Sequence, residues 1–400
     1  MPDTAAAIRP TIAFQPERHR RVLAGHPWAY SNEITMTPSA KGLEPGTLVT
    51  LAGAGGEKIG TAMFNPRPLI SARMLTREVG APIDRAFLAR RLGQAVALRQ
   101  TLYDAPHYRL IHAEADGLPG LIVDRFGDVV VVQLNSAGME RLREPLLGAL
   151  ADVLQPRAVV LRNDSGARGT EGLATAVEVA HGALDAPVEL VENGCRFAAD
   201  LLTGQKTGWF YDQRDNRAAV ARLAPGKRVL DLFSYAGGFG VLAAARGATE
   251  VVLADRSKAA LALAAQGAAL NGVADRCTVM EDDGFSALER LAQANERFDV
   301  VVADPPAFVK SRKDLAVGIR AYRKLTRLAA ALVSPGGFLF VASCSHNVEP
   351  AAFAEQVCGG LSRARRSGRI LRSAGAAADH PVHPFLPESA YLKALLLQLD

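Results

Sequence analysis

The stretch Arg228-Val-Leu-Asp-Leu-Phe-Ser-Tyr-Ala-Gly-Gly-Phe-Gly240 decides how this chain folds. Its first residues form an apolar run of strand length. A glycine-rich turn ends that run, and an apolar helical pattern follows over 239–246. A buried strand that turns directly into a helix is the opening unit of a parallel α/β sheet. Glycines in such a turn let a ligand approach the backbone where a Cβ would clash. The spacing departs from Gly-x-Gly-x-x-Gly, which argues against a dinucleotide and hence against a nicotinamide oxidoreductase.

Downstream, the rhythm repeats. Strand-like runs at 250–255, 276–281, 298–303 and 337–343 alternate with helical runs at 257–270, 284–294 and 319–333. The pattern predicts a doubly wound sheet of mainly parallel strands. Ligands of such sheets bind outside the carboxyl ends of the strands, so the residues there carry the chemistry.

Each strand end has a distinctive residue. Val251-Val-Leu-Ala-Asp255 ends in an acid that can accept both ribose hydroxyls of a nucleoside. A plainer role for Asp255 is to cap the helix from Ser257. Met280-Glu-Asp-Asp-Gly-Phe285 offers Asp283, with Asp282 in reserve, as acceptor from an adenine amino group. Phe298-Asp-Val-Val-Val-Ala-Asp-Pro-Pro-Ala-Phe308 ends in an acid followed by two prolines. The prolines stiffen the loop, and Asp304 held there can hydrogen-bond the edge of a flat base. Phe338-Leu-Phe-Val-Ala-Ser-Cys-Ser345 ends in Cys344. A buried cysteine is commonly a small hydrophobe. At a strand's carboxyl end beside Asp304 the position also suits a nucleophile. A free thiol has a pKa of about 8.5, so its surroundings must then activate it.

Upstream, residues 10–77 hold short β-type runs (47–51, 58–64 and 69–75) separated by Gly and Pro, which predicts a small β-barrel or sandwich. An amphipathic helix is predicted over 82–103, with Phe87, Leu88, Leu92, Val96 and Leu98 among its apolar positions. Gly127-Asp128 predicts a hairpin between 121–126 and 129–134. A helix over 137–153 and a strand over 158–162 follow, and a second hairpin turns at Asn193-Gly194. The chain is thus read as α/β, with a doubly wound Rossmann-like sheet over 191–400. A small α+β domain over 81–190 and an N-terminal β-barrel over 1–80 precede it.

Composition bounds the rest. Apolar residues make up 49% of 400, which excludes wholesale disorder. A net charge of +5 fits a nucleic-acid partner without requiring one. Arg18, His19, Arg20 and Arg21 cluster near one end, and Arg363, Arg365, Arg366, Arg369 and Arg372 near the other. Each cluster is either a solvated face or a nucleic-acid footprint. The four cysteines lack a Cys-x-x-Cys pair, which argues against a zinc site and a disulfide framework. No metal is therefore expected. No signal-peptide pattern and no apolar run of membrane-spanning length is visible, so no membrane and a cytoplasmic location are expected.

Longer motifs resemble one family. Gln205-Lys-Thr-Gly-Trp-Phe-Tyr-Asp-Gln-Arg-Asp-Asn-Arg217, Phe233-Ser-Tyr-Ala-Gly-Gly-Phe239, Asp304-Pro-Pro-Ala-Phe308 and Ser343-Cys-Ser345 all fit it. So do Asp379-His-Pro-Val-His-Pro384 and Pro387-Glu-Ser-Ala-Tyr-Leu-Lys393. His26-Pro-Trp-Ala-Tyr-Ser31 and Ile111-His-Ala-Glu-Ala-Asp-Gly-Leu-Pro-Gly120 extend the match upstream. Together they resemble the bacterial large-subunit (23S) rRNA cytosine-C5 methyltransferases, which carry an N-terminal PUA-type RNA-binding domain.

The resemblance implies a PUA-like RNA-binding domain over 1–80 and a class I S-adenosylmethionine-dependent methyltransferase domain over 191–400. It implies S-adenosylmethionine as cofactor, held by Phe210, Tyr211, Gln213, Asp231, Phe233, Ser234, Ala236, Gly237, Asp255, Asp282, Asp283, Asp304 and Pro305. Residues 205–217 would either fold over it, with Phe210 and Tyr211 on the adenosine and Asp212, Gln213 and Arg214 on its polar edges or the RNA, or serve as a structural hinge between domains. The partner implied is 23S ribosomal RNA, met by Arg21, Trp28, Pro305, Pro306 and Phe308, and a homodimer is allowed.

The product implied is 5-methylcytosine. Cys344 would add to C6 of the base while Asp304 favours protonation at N3. The target base must be splayed out to reach such a pocket. Other RNA cytosine-C5 enzymes carry a second cysteine in the fourth-strand loop to help release product. Here that position is Ala307, so the base for the C5 proton is not named. Two rivals remain: an amino-group methyltransferase, which needs no nucleophile, and a non-catalytic RNA-binding ribosome-assembly protein.

Overall fold

In a computed structural model, residues 9–185 and 187–400 are described. They form two units. One holds residues 9–185 together with Leu201–Gly208 and Asp379–Ser389; the other holds Pro187–Asp200, Trp209–Ala378 and Ala390–Asp400.

The first unit begins with five short strands: β1 (Thr11–Ala13), β2 (Trp28–Tyr30), β3 (Thr47–Ala52), β4 (Lys58–Phe64) and β5 (Ile70–Thr76). Their order is β1-β3-β4-β5-β2. A bridge between Phe14 and Ile34 joins the two edges, so the sheet curls on itself. Phe14, Ile34, Val49, Leu51 and Phe64 fill its interior.

A second five-stranded sheet follows: β6 (His107–His112), β7 (Leu121–Phe126), β8 (Val129–Leu134), β9 (Ala158–Asn163) and β10 (Ala176–His181). Helix Arg85–Leu102 starts at an Asp84 cap and contributes Phe87, Leu88, Leu92 and Ala95 to this sheet's core. Strands β8 and β9 are parallel. The sequence predicts one helix between them, but two form, Ala137–Arg141 and Arg143–Leu154, broken at Leu142. Pro145 explains the break. It lacks an N–H and crowds the preceding turn, so it fits the first turn of a new helix and not the middle of a longer one.

The second unit opens with the hairpin β11 (Val188–Glu192) and β12 (Cys195–Ala199). Asn193 and Gly194 turn it with φ of 53° and 75°, the left-handed pair such a tight turn requires. Seven strands then form one sheet: β13 (Arg228–Leu232), β14 (Glu250–Asp255), β15 (Cys277–Glu281), β16 (Phe298–Ala303), β17 (Val333–Ser343), β18 (Gly368–Ala374) and β19 (Lys393–Leu399). Their order is β15-β14-β13-β16-β17-β19-β18. The first five are parallel, and β19 lies antiparallel between β17 and β18. The order reverses between β13 and β16, and ligands of open α/β sheets bind at such a switch point. Leu230, Leu232, Val301, Leu339, Val341 and Phe353 belong to the core beneath it.

Candidate active site

Strand register brings the predicted residues together. Leu232 pairs with Ala254 and with Ala303, and Ala303 pairs with Val341. Phe233, Asp255 and Asp304 therefore leave the sheet at one level. Cys344 follows two residues beyond that level on β17, and its Sγ lies 4.0 Å from the Pro305 carbonyl oxygen.

The turn after β13 is strained. Phe233 and Tyr235 have φ of 59° and 49°, and Gly237 follows at 76°. Left-handed backbone at a bulky residue costs about 1–3 kcal/mol and persists only where the surroundings enforce it. Tyr235 N donates to Asp255 Oδ2 at 3.0 Å, and Gly240 N donates to Asp231 Oδ2 at 2.8 Å. The Phe233 ring lies so close over Gly284 that a Cβ there would sit 2.2 Å from it. At Gly240 a Cβ would sit 2.2 Å from Leu253, so this glycine sets how closely the helix meets β14.

The electrostatics are equally particular. Burial pushes the Asp231 carboxyl up to about 7. The Gly240 amide and Arg217 oppose that shift, while Asp304 and Asp255 add to it. Two carboxylates, Asp304 and Asp255, thus act on Asp231 at this switch point. The Ser234 hydroxyl, in the turn after β13, is buried without a protein partner among the described residues.

A pH dependence follows. Asp231 keeps its proton in the folded chain up to about pH 7, whereas unfolded aspartate ionises near 3.9. The stability this provides is complete below pH ~4 and is lost as pH rises toward 7, because the unfolded chain then binds fewer protons. Between pH 5 and 7.5, urea unfolding of the ligand-free protein should lose about 2 kcal/mol more than that of Asp231→Asn. Equal losses would contradict this.

Two other expected ligand-binding acids are engaged locally. Asp283 caps helix Gly284–Gln293, accepting from Phe285 N at 3.0 Å and Ser286 N at 3.3 Å, with the Ser286 hydroxyl also bonded to it. These donors, the hydroxyl foremost, hold its carboxyl below the usual range. Asp282 accepts from Asp283 N and pairs with Arg290 at 3.3 Å. Asp255 accepts from Ser257 N at 2.8 Å as well as from Tyr235 N, which leaves each oxygen a second lone pair.

The loop after β16 and the turn after β17 are fastened together. Pro305 is buried, Asp304 and Phe308 are half-buried, and Pro306 is exposed. Phe308 stacks on Phe285 at 5.9 Å and tilts against Tyr322 at 4.9 Å, so its ring is committed to packing. Half-buried Cys344 stands between fully buried Ser343 and Ser345. Ser345 Oγ accepts from Val309 N at 3.2 Å and bonds Tyr322 Oη at 2.8 Å. Lys393 Nζ donates to the Ser345 carbonyl at 2.6 Å.

Ahead of β13, Phe210 is half-buried and meets Tyr235 edge-on at 5.3 Å. Tyr211 and Gln213 are buried, and Gln213 accepts from Asn216 at 2.7 Å. Beneath them lies a cluster that the sequence did not announce. Glu192, 1% exposed, accepts from Arg217 at 2.7 Å and from the Trp209 indole at 3.1 Å. A lone acid before a turn carries no periodic signal. Glu192→Ala strands the Arg217 charge in the interior and should cost about 3–5 kcal/mol, read as a lower urea midpoint.

The predicted RNA contacts of the first unit have internal partners. Arg21 pairs with Glu33 at 2.9 Å and stacks over Tyr30 at 4.5 Å, and the Trp28 indole donates to Glu114 at 2.7 Å. In the C-terminal cluster, Arg366 donates to the carbonyls of Ala330 and Val333 at 3.0 and 2.6 Å. Among the described residues, no three His, Cys, Asp or Glu side chains are grouped to hold a metal. None of the described helices is long and apolar enough to cross a membrane.

Comparison with known proteins identifies the family. Residues 155–398 match the model of the S-adenosylmethionine-dependent methyltransferase family, and residues 12–77 match a PUA-like domain. The chain is 37% identical over 398 residues to ribosomal RNA large subunit methyltransferase I of Shewanella denitrificans, covering 98% of this chain and 100% of that one. It is 37% identical over 383 residues to the protein of the same name from Erwinia tasmaniensis, covering 94% and 96%. Among solved structures, a putative methyltransferase from Streptococcus mutans superposes with a TM-score of 0.81 at 20% identity, covering 97% and 100%. A putative methyltransferase complexed with SAH gives 0.82 at 20% identity, covering 98% and 100%. At that identity the likeness concerns the fold.

Proposed function

This chain belongs to the S-adenosylmethionine-dependent methyltransferases of large-subunit ribosomal RNA, and from that premise we propose that it forms 5-methylcytosine in 23S rRNA through a covalent adduct on Cys344. The observation that carries this reading is Cys344 Sγ standing against the Pro305 carbonyl, beside Asp304 at the ends of adjacent parallel strands. Transfer to an exocyclic nitrogen gives a thiol in that place no task.

The residues fit the cofactor. S-adenosylmethionine carries a sulfonium and an ammonium, and it supplies the methyl group. A site where Asp255 and Asp304 help hold a proton on buried Asp231 to about pH 7 favours a cationic ligand. The second lone pairs of Asp255 would take the ribose hydroxyls, and the unpartnered Ser234 hydroxyl would take a polar group of the ligand. Phe210, at the edge of the Tyr235 turn, would cover the adenosine. Asp283 and Asp282 would reach the adenine with the lone pairs their local partners leave.

Carbon C5 of cytosine is too weak a nucleophile to take a methyl group directly. The Cys344 thiolate adds to C6, and the S–C bond places electron density at C5. Asp304 holds the base edge and keeps N3 protonated, so C6 is electrophilic when sulfur attacks. C5 then takes the methyl group, its proton leaves, and sulfur is expelled as the ring regains its double bond. Pro305 and Pro306 keep the loop rigid and carry the base past Asp304.

Bisulfite mapping of 23S rRNA from cells with and without the gene tests the reading. The expected result is one cytosine protected only when the gene is present. A 23S rRNA in which no protected cytosine disappears on deletion would overturn it.

A further inference from the structure

We propose that Lys393 is the charge partner that holds Cys344 as a thiolate. The role deepens the proposed reaction and rests on it, since only a nucleophilic Cys344 needs an ionised sulfur.

Three placements lead there. Lys393 opens β19 and pairs in antiparallel register directly with Ser343, the residue before Cys344. Its Nζ donates to the carbonyl of Ser345, the residue after Cys344, at 2.6 Å. Register and hydrogen bond together lay the side chain alongside the Cys344 turn. The side chain is also buried, at 6% exposure, and stands ahead of the apolar run Ala394-Leu-Leu-Leu397.

A buried ammonium is costly unless an anion answers it. Among the described residues, no carboxylate lies within ion-pair distance of Lys393. Burial pushes its ammonium down from the usual lysine range, and the groups that push it back are Cys344 first and Glu349 second. Glu349 is exposed. The other titratable groups about the turn do not replace the thiolate. Burial pushes the Tyr322 phenol up, so it stays neutral. Exposed His346 stacks on Tyr391 at 5.1 Å. The Asp304 carboxylate would oppose a second negative charge beside it, which makes a cation on the β19 side the more necessary.

Ionisation is a simple step here. The S–H bond breaks, its electron pair stays on sulfur, and the proton passes to solvent. Lys393 keeps its three protons and its bond to Ser345, and it acts on Cys344 through its charge alone. Because the attraction is mutual, the thiolate should raise the affinity of Lys393 for its proton, and Lys393 should lower that of Cys344.

The test is the pH dependence of Cys344 alkylation by iodoacetamide in the full chain, read by peptide mass spectrometry so that Cys195, Cys277 and Cys358 are followed separately. Lys393→Met should raise the Cys344 midpoint by about one pH unit, making alkylation at pH 7 about tenfold slower. Lys393→Arg should restore the midpoint, and exposed Cys358 should not change in either variant. Equal Cys344 midpoints in the wild-type protein and Lys393→Met would overturn the proposal. Should Lys393→Met fail to fold, the reciprocal titration decides. With lysines labelled at Cε, the Lys393 midpoint should fall in Cys344→Ser, and an unchanged midpoint would overturn the pairing. A shifted thiol without any 5-methylcytosine in the rRNA would uphold the pairing and overturn the proposed reaction instead.

Discussion

Cys344→Ala should abolish methyl transfer to 23S rRNA, by about 10³-fold or more in kcat, while S-adenosylmethionine still binds. Removal of a nucleophile removes the covalent route altogether, and the remaining binding groups cannot replace it. The side chain is half-buried, so its truncation leaves little cavity. The flanking serines keep their bonds to Tyr322, Val309 and Lys393, so the turn should hold its shape. Tritium transfer from labelled cofactor measures the rate, and calorimetry measures cofactor affinity. Full activity of Cys344→Ala would instead favour transfer to an amino group, with Asp304-Pro-Pro-Ala-Phe308 as its loop.

Asp304→Asn is the second large effect. The amide keeps the size and much of the hydrogen-bonding of the carboxylate, but it no longer favours the N3-protonated base. The addition step should slow by about 10²–10⁴-fold, the usual range for a lost acid–base contribution. The variant also carries an internal marker. Asp304 is one of the charges that push the Asp231 carboxyl up, so in Asp304→Asn that group should ionise at lower pH. A variant with slowed catalysis and an unchanged Asp231 titration would contradict the shared electrostatics of the switch point.

The elements of the candidate site can be read in the sequence because each is local. The glycine turn, the acid ending β14, the Asp-Pro-Pro loop and Cys344 each belong to one short segment, and the rule that ligands sit at strand ends gathers them. Other residues were harder to read. Asp283 is written in the sequence as an acid before a helix, and capping that helix is what its side chain does in the structure. Arg21 and Trp28 stand in a basic, aromatic stretch that suits RNA, yet Glu33 and Glu114 engage their polar groups. Those carboxylates are 12 and 86 residues away, and no periodicity connects them.

The sequence by itself determined the βα series, its glycine turn and the identity of the strand-end residues, because strand and helix periods and turn chemistry are properties of consecutive residues. Only the tertiary structure decided which strands are neighbours. It set β19 antiparallel beside β17 and so placed Lys393 against the Cys344 turn. It also assigned Leu201–Gly208 and Asp379–Ser389 to the first unit, where buried Asp379 accepts from Arg109 N at 3.0 Å and bonds His380 at 2.8 Å. And it raised Asp231 to about 7, a value set by burial and by two carboxylates from other strands. Each of these joins residues distant in the chain. Such pairings come from burial and charge in three dimensions, which no stretch of neighbouring residues encodes.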